Sequence, residues 1–124
     1  MTNVDKFQNN SQVEIHREKS IDVEFPKEYF DWVYIDTDHS YELTKKELEV
    51  CSRKVKDDGY IALHDYIWYD YFNSILDDSD IYFGVVKAVN EFILSREDYE
   101  VKYLTLESGM YNTIVIRKIN GTER

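Results

Sequence analysis

Two carboxylates close the two most apolar runs of this chain. Asp36 ends the run Phe30-Asp31-Trp32-Val33-Tyr34-Ile35, and Asp65 follows Tyr60-Ile61-Ala62-Leu63-His64. A carboxylate at the end of a buried strand has to be solvated, paired or ligated, because an uncompensated charge in apolar surroundings is costly. Asp38, His39 and His64 stand close to them in sequence. If the two runs are neighbouring strands, about 4.8 Å apart, all of these groups share one rim. There they could hold a divalent cation, or orient a substrate hydroxyl or amine. Oxygen donors favour Mg²⁺ or Ca²⁺, and an added imidazole moves the preference toward Mn, Fe or Zn. Plainer roles compete. Asp36, Asp38 and Ser40 all precede a helical pattern and are of helix-capping type, and His64 on an apolar strand suits a satisfied core histidine.

The elements that must position these residues are legible in the pattern. Residues 30–36 are β-branched and aromatic, with a continuous apolar middle, as in a strand covered on both faces. Residues 41–55 read as a helix, with Leu48, Cys51 and Val55 on one stripe and Lys45, Lys46, Glu47 and Glu49 on other faces. Gly59 follows as a helix stop. Residues 60–65 form a second buried-type strand. Residues 66–81 are an aromatic and acidic connection, the kind of long loop that often serves binding. A second helix runs from Gly84 to about residue 96, with Val85, Val86, Val89, Phe92 and Ile93 on one face. Two strand-like runs, 100–107 and 111–119, close the chain as a hairpin joined near Ser108-Gly109. Upstream, residues 12–16 alternate polar and apolar, which predicts a short strand with one face buried. Strands alternating with helices indicate an α/β sheet with parallel strands and a C-terminal antiparallel hairpin.

Composition sets the outer limits. The 124 residues suffice for a single domain, 1–124. With 43% hydrophobic and 15% aromatic residues, the chain can build a core. Its net charge of −10 opposes phosphate backbones and anionic membrane surfaces, so no nucleic-acid partner and no membrane are expected. The one cysteine, Cys51, excludes an internal disulfide and a cysteine zinc cluster, and fits a reducing, cytoplasmic setting. Neither an N-terminal apolar run nor a run of about 20 apolar residues is present.

The run FDWVYIDTDHSYELTKKELEVCSRKVKDDGYIALHDY resembles the fourth and fifth strands of class I S-adenosylmethionine (SAM)-dependent methyltransferases. It is most similar to the small-molecule O-methyltransferase-like branch. That branch reads D-x-hydrophobic-hydrophobic-I-D-G-x-H-x-Y, followed by L-x-P-G-G-hydrophobic-hydrophobic-x-H-D. GVVKAVNEFI resembles its next helix, the final hairpin its last two strands, and residues 10–20 its third strand and adenine-side loop. The resemblance implies a partial Rossmann-like sheet, the C-terminal half of the order 3-2-1-4-5-7-6. It implies SAM as cofactor and a small-molecule acceptor.

Residue by residue, Asp36 and Asp65 match the carboxylates that bind a divalent metal such as Mg²⁺ in metal-dependent members. With His39 they are the implied catalytic set. His39 and Tyr41 match residues at the mouth of the pocket, and Ser20 with Asp36 falls on the cofactor side. Three positions depart from the pattern. Tyr66 stands where metal-dependent members have an amide, Thr37 where the branch has Gly, and Asp57-Asp58-Gly59 where it has Pro-Gly-Gly. The family's Gly-rich cofactor loop has no counterpart, since Gly59, Gly84, Gly109 and Gly121 form no G-x-G. The expectation is therefore a methyltransferase-family domain lacking the first two strands, a fragment incomplete as an enzyme by itself. The alternative is a non-catalytic remnant or interaction module. In either case residues 30–36 become a sheet edge, open to a homodimer partner, to a missing N-terminal half, or to pairing with residues 12–16.

Overall fold

The computed structural model describes residues 12–37, 40–66, 84–106 and 112–119. Strand β1 spans Phe30–Ile35 and leads into helix α1, Tyr41–Lys54. Strand β2 follows at once, Val55–His64. Helix α2 is Gly84–Leu94, and strands β3, Tyr99–Leu106, and β4, Asn112–Lys118, complete the order. The four strands lie β1-β2-β4-β3. β1 and β2 are parallel, while β4 runs antiparallel to both β2 and β3. This is the expected α/β arrangement, with parallel strands and a C-terminal antiparallel hairpin. The hairpin forms as anticipated, with its turn outside the described residues, as is most of the 66–81 connection.

Both helices cover one face of the sheet. Ile35, Ile61, Leu63, Ile114 and Ile116 point into that layer and meet Leu48, Val89 and Phe92. Burying each such side chain stabilises the fold by about 1.5–3 kcal/mol. Ser40 starts α1 as its N-cap, its Oγ accepting from the Leu43 amide at 3.3 Å. At the other end the chain passes straight from helix to strand, so the last helical carbonyls need partners from elsewhere. The Tyr99 hydroxyl donates to the Ser52 carbonyl at 3.0 Å, and the Glu28 and Tyr29 amides donate to the Arg53 and Lys54 carbonyls at 3.0 and 2.8 Å.

Several expectations change. Residues 12–16 are not a strand and join no sheet. Alternation yields a strand only where a ladder partner and an apolar surface exist, and Ile15 remains 53% exposed. Among the described residues β1 is accordingly an edge, paired with β2 alone. It is covered on one face only. Ile35 is buried and Val33 half-buried on the helix side, whereas Trp32 and Tyr34 stay about half exposed.

Gly59 is not a helix stop. α1 ends at Lys54, and Gly59 lies inside β2 at an irregularity, where the pairing steps from Phe30↔Val55 to Trp32↔Tyr60. Lys56–Gly59 thus bulge from the ladder, and Asp58 takes the left-handed φ of 67°. A Cβ at Gly59 would stand 2.8 Å from the Lys56 carbonyl oxygen and 2.9 Å from that of Asp31, so only glycine fits. Glu47, expected on an outer face, is buried at 1% exposure.

Candidate active site

Because β1 and β2 are parallel neighbours, their carboxyl ends open on one rim, where open α/β sheets place ligands. Ile35 pairs with Leu63, so Asp36 and His64 emerge side by side. The next residue, Asp65, adopts φ 54°, a left-handed conformation that aspartate tolerates better than most residues. Its amide donates to the Asn112 carbonyl at 2.8 Å, which ties the turn to β4.

The turn brings three side chains together. His64 Nδ1 lies 3.1 Å from Asp65 Oδ2 and 3.5 Å from Asp36 Oδ1. Asp65 is nearly covered, with 13% of its side chain exposed against 50% for Asp36. One potential donor atom from each of the three lies within 4.8 Å of the others. Despite these short distances, His64 Nδ1 is buried without a well-directed hydrogen bond. An imidazole nitrogen and two carboxylate oxygens converging in this way fit a divalent cation of the Mn, Fe or Zn type better than an all-oxygen Mg²⁺ set. The negative potential reaches Tyr34, whose ring centroid is 6.3 Å from that of His64. Slight desolvation, and then the charges of Asp36 and Asp65, push its phenol above the ordinary value.

The remaining expected residues divide. Ser20 is exposed and shares a cleft of about 500 Å³ with Thr37 and Ser40, which brings it beside the residue following Asp36. Asp38 and His39 lie outside the described residues. Tyr41, expected at the pocket mouth, reaches α2, where it donates to Glu91 and lies under the Lys87 ammonium, 4.2 Å from its ring centroid. Tyr66, in the position of the family's amide, also turns to α2 and donates to Asn90 Oδ1 at 2.9 Å.

Of the two roles open to His64, the structure shows the rim position beside both carboxylates rather than a satisfied place in the core. One feature escaped the sequence reading. Glu47 accepts from the Thr37 hydroxyl at 2.6 Å. The signal for Glu47 was its spacing, three residues after Thr44 and four before Cys51, which puts it on the buried stripe of α1.

Comparisons with known proteins agree with this architecture. Residues 1–66 match the model of a family described as a methyltransferase domain. The chain is similar to a SAM-dependent methyltransferase from Methanosarcina mazei, with a TM-score of 0.58 at 13% identity over 82% of this chain and 65% of that one. It is also similar to an O-methyltransferase from Bacillus cereus in complex with SAH, with a TM-score of 0.54 at 15% identity over 94% of this chain and 47% of that one. A third, a Clostridium thermocellum protein provisionally named an rRNA methylase, gives 0.58 at 15% identity, covering 94% and 66%. At such identities the likeness is one of fold. The chain spans between about half and two thirds of the length of these structures. No curated protein matches it in sequence.

Proposed function

Since the chain belongs to the methyltransferase-domain family, we propose that it is the C-terminal part of a SAM-dependent methyltransferase acting on a small molecule. The observation that carries this is the convergence of Asp36, His64 and Asp65 at the rim of parallel β1 and β2. In this reading Asp36 and Asp65, with His64 as a third donor, hold a divalent cation, which when bound would draw an acceptor oxygen into place and acidify its proton. Mn²⁺ suits the mixed donor set, and Mg²⁺ remains the ion implied by the family resemblance. SAM, when bound, would supply the methyl group from its sulfonium, and the second oxygen of the half-exposed Asp36 carboxylate, the one turned away from His64, would receive the proton of the acceptor. Ser20 and Thr37, which share a cleft, lie on the proposed cofactor side.

A small acceptor accords with the charge of −10, which repels a nucleic-acid substrate. Among the described residues no helix is long and apolar enough to cross a membrane. A cytoplasmic setting suits the unpaired thiol of Cys51. The four glycines form no cofactor loop, so the activity is proposed for this domain together with a Gly-rich segment that these 124 residues do not contain.

A second reading, a non-catalytic interaction module, is favoured by the β1 edge. Beside that edge lies an apolar cleft of about 280 Å³ lined by Val23, Phe25, Phe30, Trp32 and Val33. A strand that among the described residues is paired on one side only, next to an apolar cleft, suits the addition of a strand from a partner.

Titration calorimetry of the chain with SAM, with and without Mn²⁺ or Mg²⁺, decides between them. Micromolar binding supports the methyltransferase reading for this chain. If SAM is not bound in any buffer but sedimentation shows an oligomer that Val33→Lys dissolves, the interaction module is the better account.

A further inference from the structure

The segment between β1 and α1 must hold Asp36 at the rim, yet Asp36 is half exposed and lies past the last ladder pair, Ile35↔Leu63. A carboxylate on such a turn is aimed only if something next to it is fixed. Thr37 supplies that anchor. Although the residue is on the surface, its hydroxyl donates inward to Glu47 Oε1 at 2.6 Å. Glu47 is 1% exposed, in the middle of α1, on the stripe it shares with Thr44 and Leu48. A buried carboxyl group on a packed helix is a rigid acceptor, and the 2.6 Å separation is at the short end of O–H···O hydrogen bonds. Satisfying such a group inside the fold is also demanded by the cost of its burial.

We infer that Thr37 and Glu47 are a positioning pair, in which the buried Glu47 carboxylate pins the Thr37 hydroxyl and so holds the Asp36 carboxylate toward His64 and Asp65. The pair touches neither cation nor acceptor. It acts on the orientation of Asp36, as groups behind a ligand orient it in metal centres. Thr37 can stand in this turn in place of the expected glycine because its backbone is not left-handed, and its side chain then reaches Glu47. The effect on cation binding rests on the proposed function above, whereas the effect on the turn itself does not.

The test separates the two. Thr37→Val removes the hydroxyl at nearly constant shape, and Thr37→Ser keeps it. ¹⁵N relaxation is measured for the Asp36 amide, and Mn²⁺ binding is followed by electron paramagnetic resonance of the free ion. Thr37→Val is expected to lower the Asp36 order parameter from about 0.85 to below about 0.6, and to weaken Mn²⁺ binding by about tenfold. Thr37→Ser is expected to retain both. Glu47→Leu, which removes the acceptor and is itself apolar at a buried position, provides the check should Thr37→Val fail to fold, and is expected to lower the order of Asp36 as Thr37→Val does. An unchanged Asp36 order parameter in Thr37→Val overturns the inference, as does Thr37→Ser behaving like Thr37→Val, or a folded Glu47→Leu keeping that order. If the unsubstituted protein binds no Mn²⁺, the cation reading fails while the order parameter still decides the pair.

Discussion

Asp36 and His64 meet across the β1–β2 pair, Oδ1 to Nδ1 at 3.5 Å, although they lie 28 positions apart in the chain. Their meeting follows from a parallel register that ends both strands at one level, and Asp65 closes the group through its left-handed turn. If this is a cation site, Asp36→Asn and Asp65→Asn each lower Mn²⁺ affinity by at least about tenfold, since ligands matter no less than the groups that orient them. Asparagine tolerates the left-handed conformation at position 65, so the fold is retained. Electron paramagnetic resonance of free Mn²⁺ reads the outcome. Affinities equal to that of the unsubstituted protein would remove the cation from the mechanism.

Gly59→Ala tests the bulge that brings β2 into register. The added methyl would meet Val55 Cγ1 at 2.6 Å and two backbone carbonyl oxygens within 3 Å, none of which is the free end of a long side chain. Overpacking of this kind costs about 1–3 kcal/mol. Urea unfolding should show a lower midpoint with an unchanged slope. A midpoint equal to that of the parent would mean that the bulge relaxes freely.

The Arg96–Asp98 pair makes a pH prediction. Arg96 donates from Nε and Nη2 to the two Asp98 oxygens, each at 2.8 Å. Above all through these hydrogen bonds, Arg96 holds the Asp98 carboxyl below its ordinary value. A carboxyl depressed in the folded state contributes stability that is complete above its unfolded pKa, near 3.9, and is lost as pH falls through the folded value. Both side chains are about a third exposed, so screening limits the contribution to less than about 1 kcal/mol. Asp98→Asn should therefore be slightly less stable than the parent at pH 7, and the gap should close in acid. A gap of the same size in acid would assign the role of Asp98 to packing instead of charge.

Cys51 should be a slow thiol. Burial, and then the charge of Glu47 one turn away, push its pKa up to about 11. At pH 8 only about a thousandth of it is thiolate, the reactive form. Alkylation by iodoacetamide is expected to be at least about a hundredfold slower than for free cysteine and to recover in urea. Rapid labelling of the folded protein would show that the α1 surface around Cys51 opens.

The strands at 30–36 and 60–65, both helices and the closing hairpin were legible in the sequence because each has a period or an apolar run of its own. The rim carboxylates Asp36 and Asp65 were legible too, since charge at the end of an apolar run needs no neighbour to stand out. Residues 12–16 misled for the complementary reason: alternation records a wish for a partner strand, and only the tertiary structure reveals whether one is there.

What only the tertiary structure decided are relationships between residues distant in sequence. Glu47 carries a surface residue's chemistry, yet it is buried on the packed stripe of α1, where it accepts from Thr37, ten positions earlier. Tyr41 and Tyr66 turned to α2 because Glu91 and Asn90 offered acceptors there. Gly59 proved necessary because the Asp31 carbonyl passes 2.9 Å from where its Cβ would be. Local pattern fixes which faces of an element are apolar. Which polar groups those faces bring together depends on register and packing, and neither is written in any single segment.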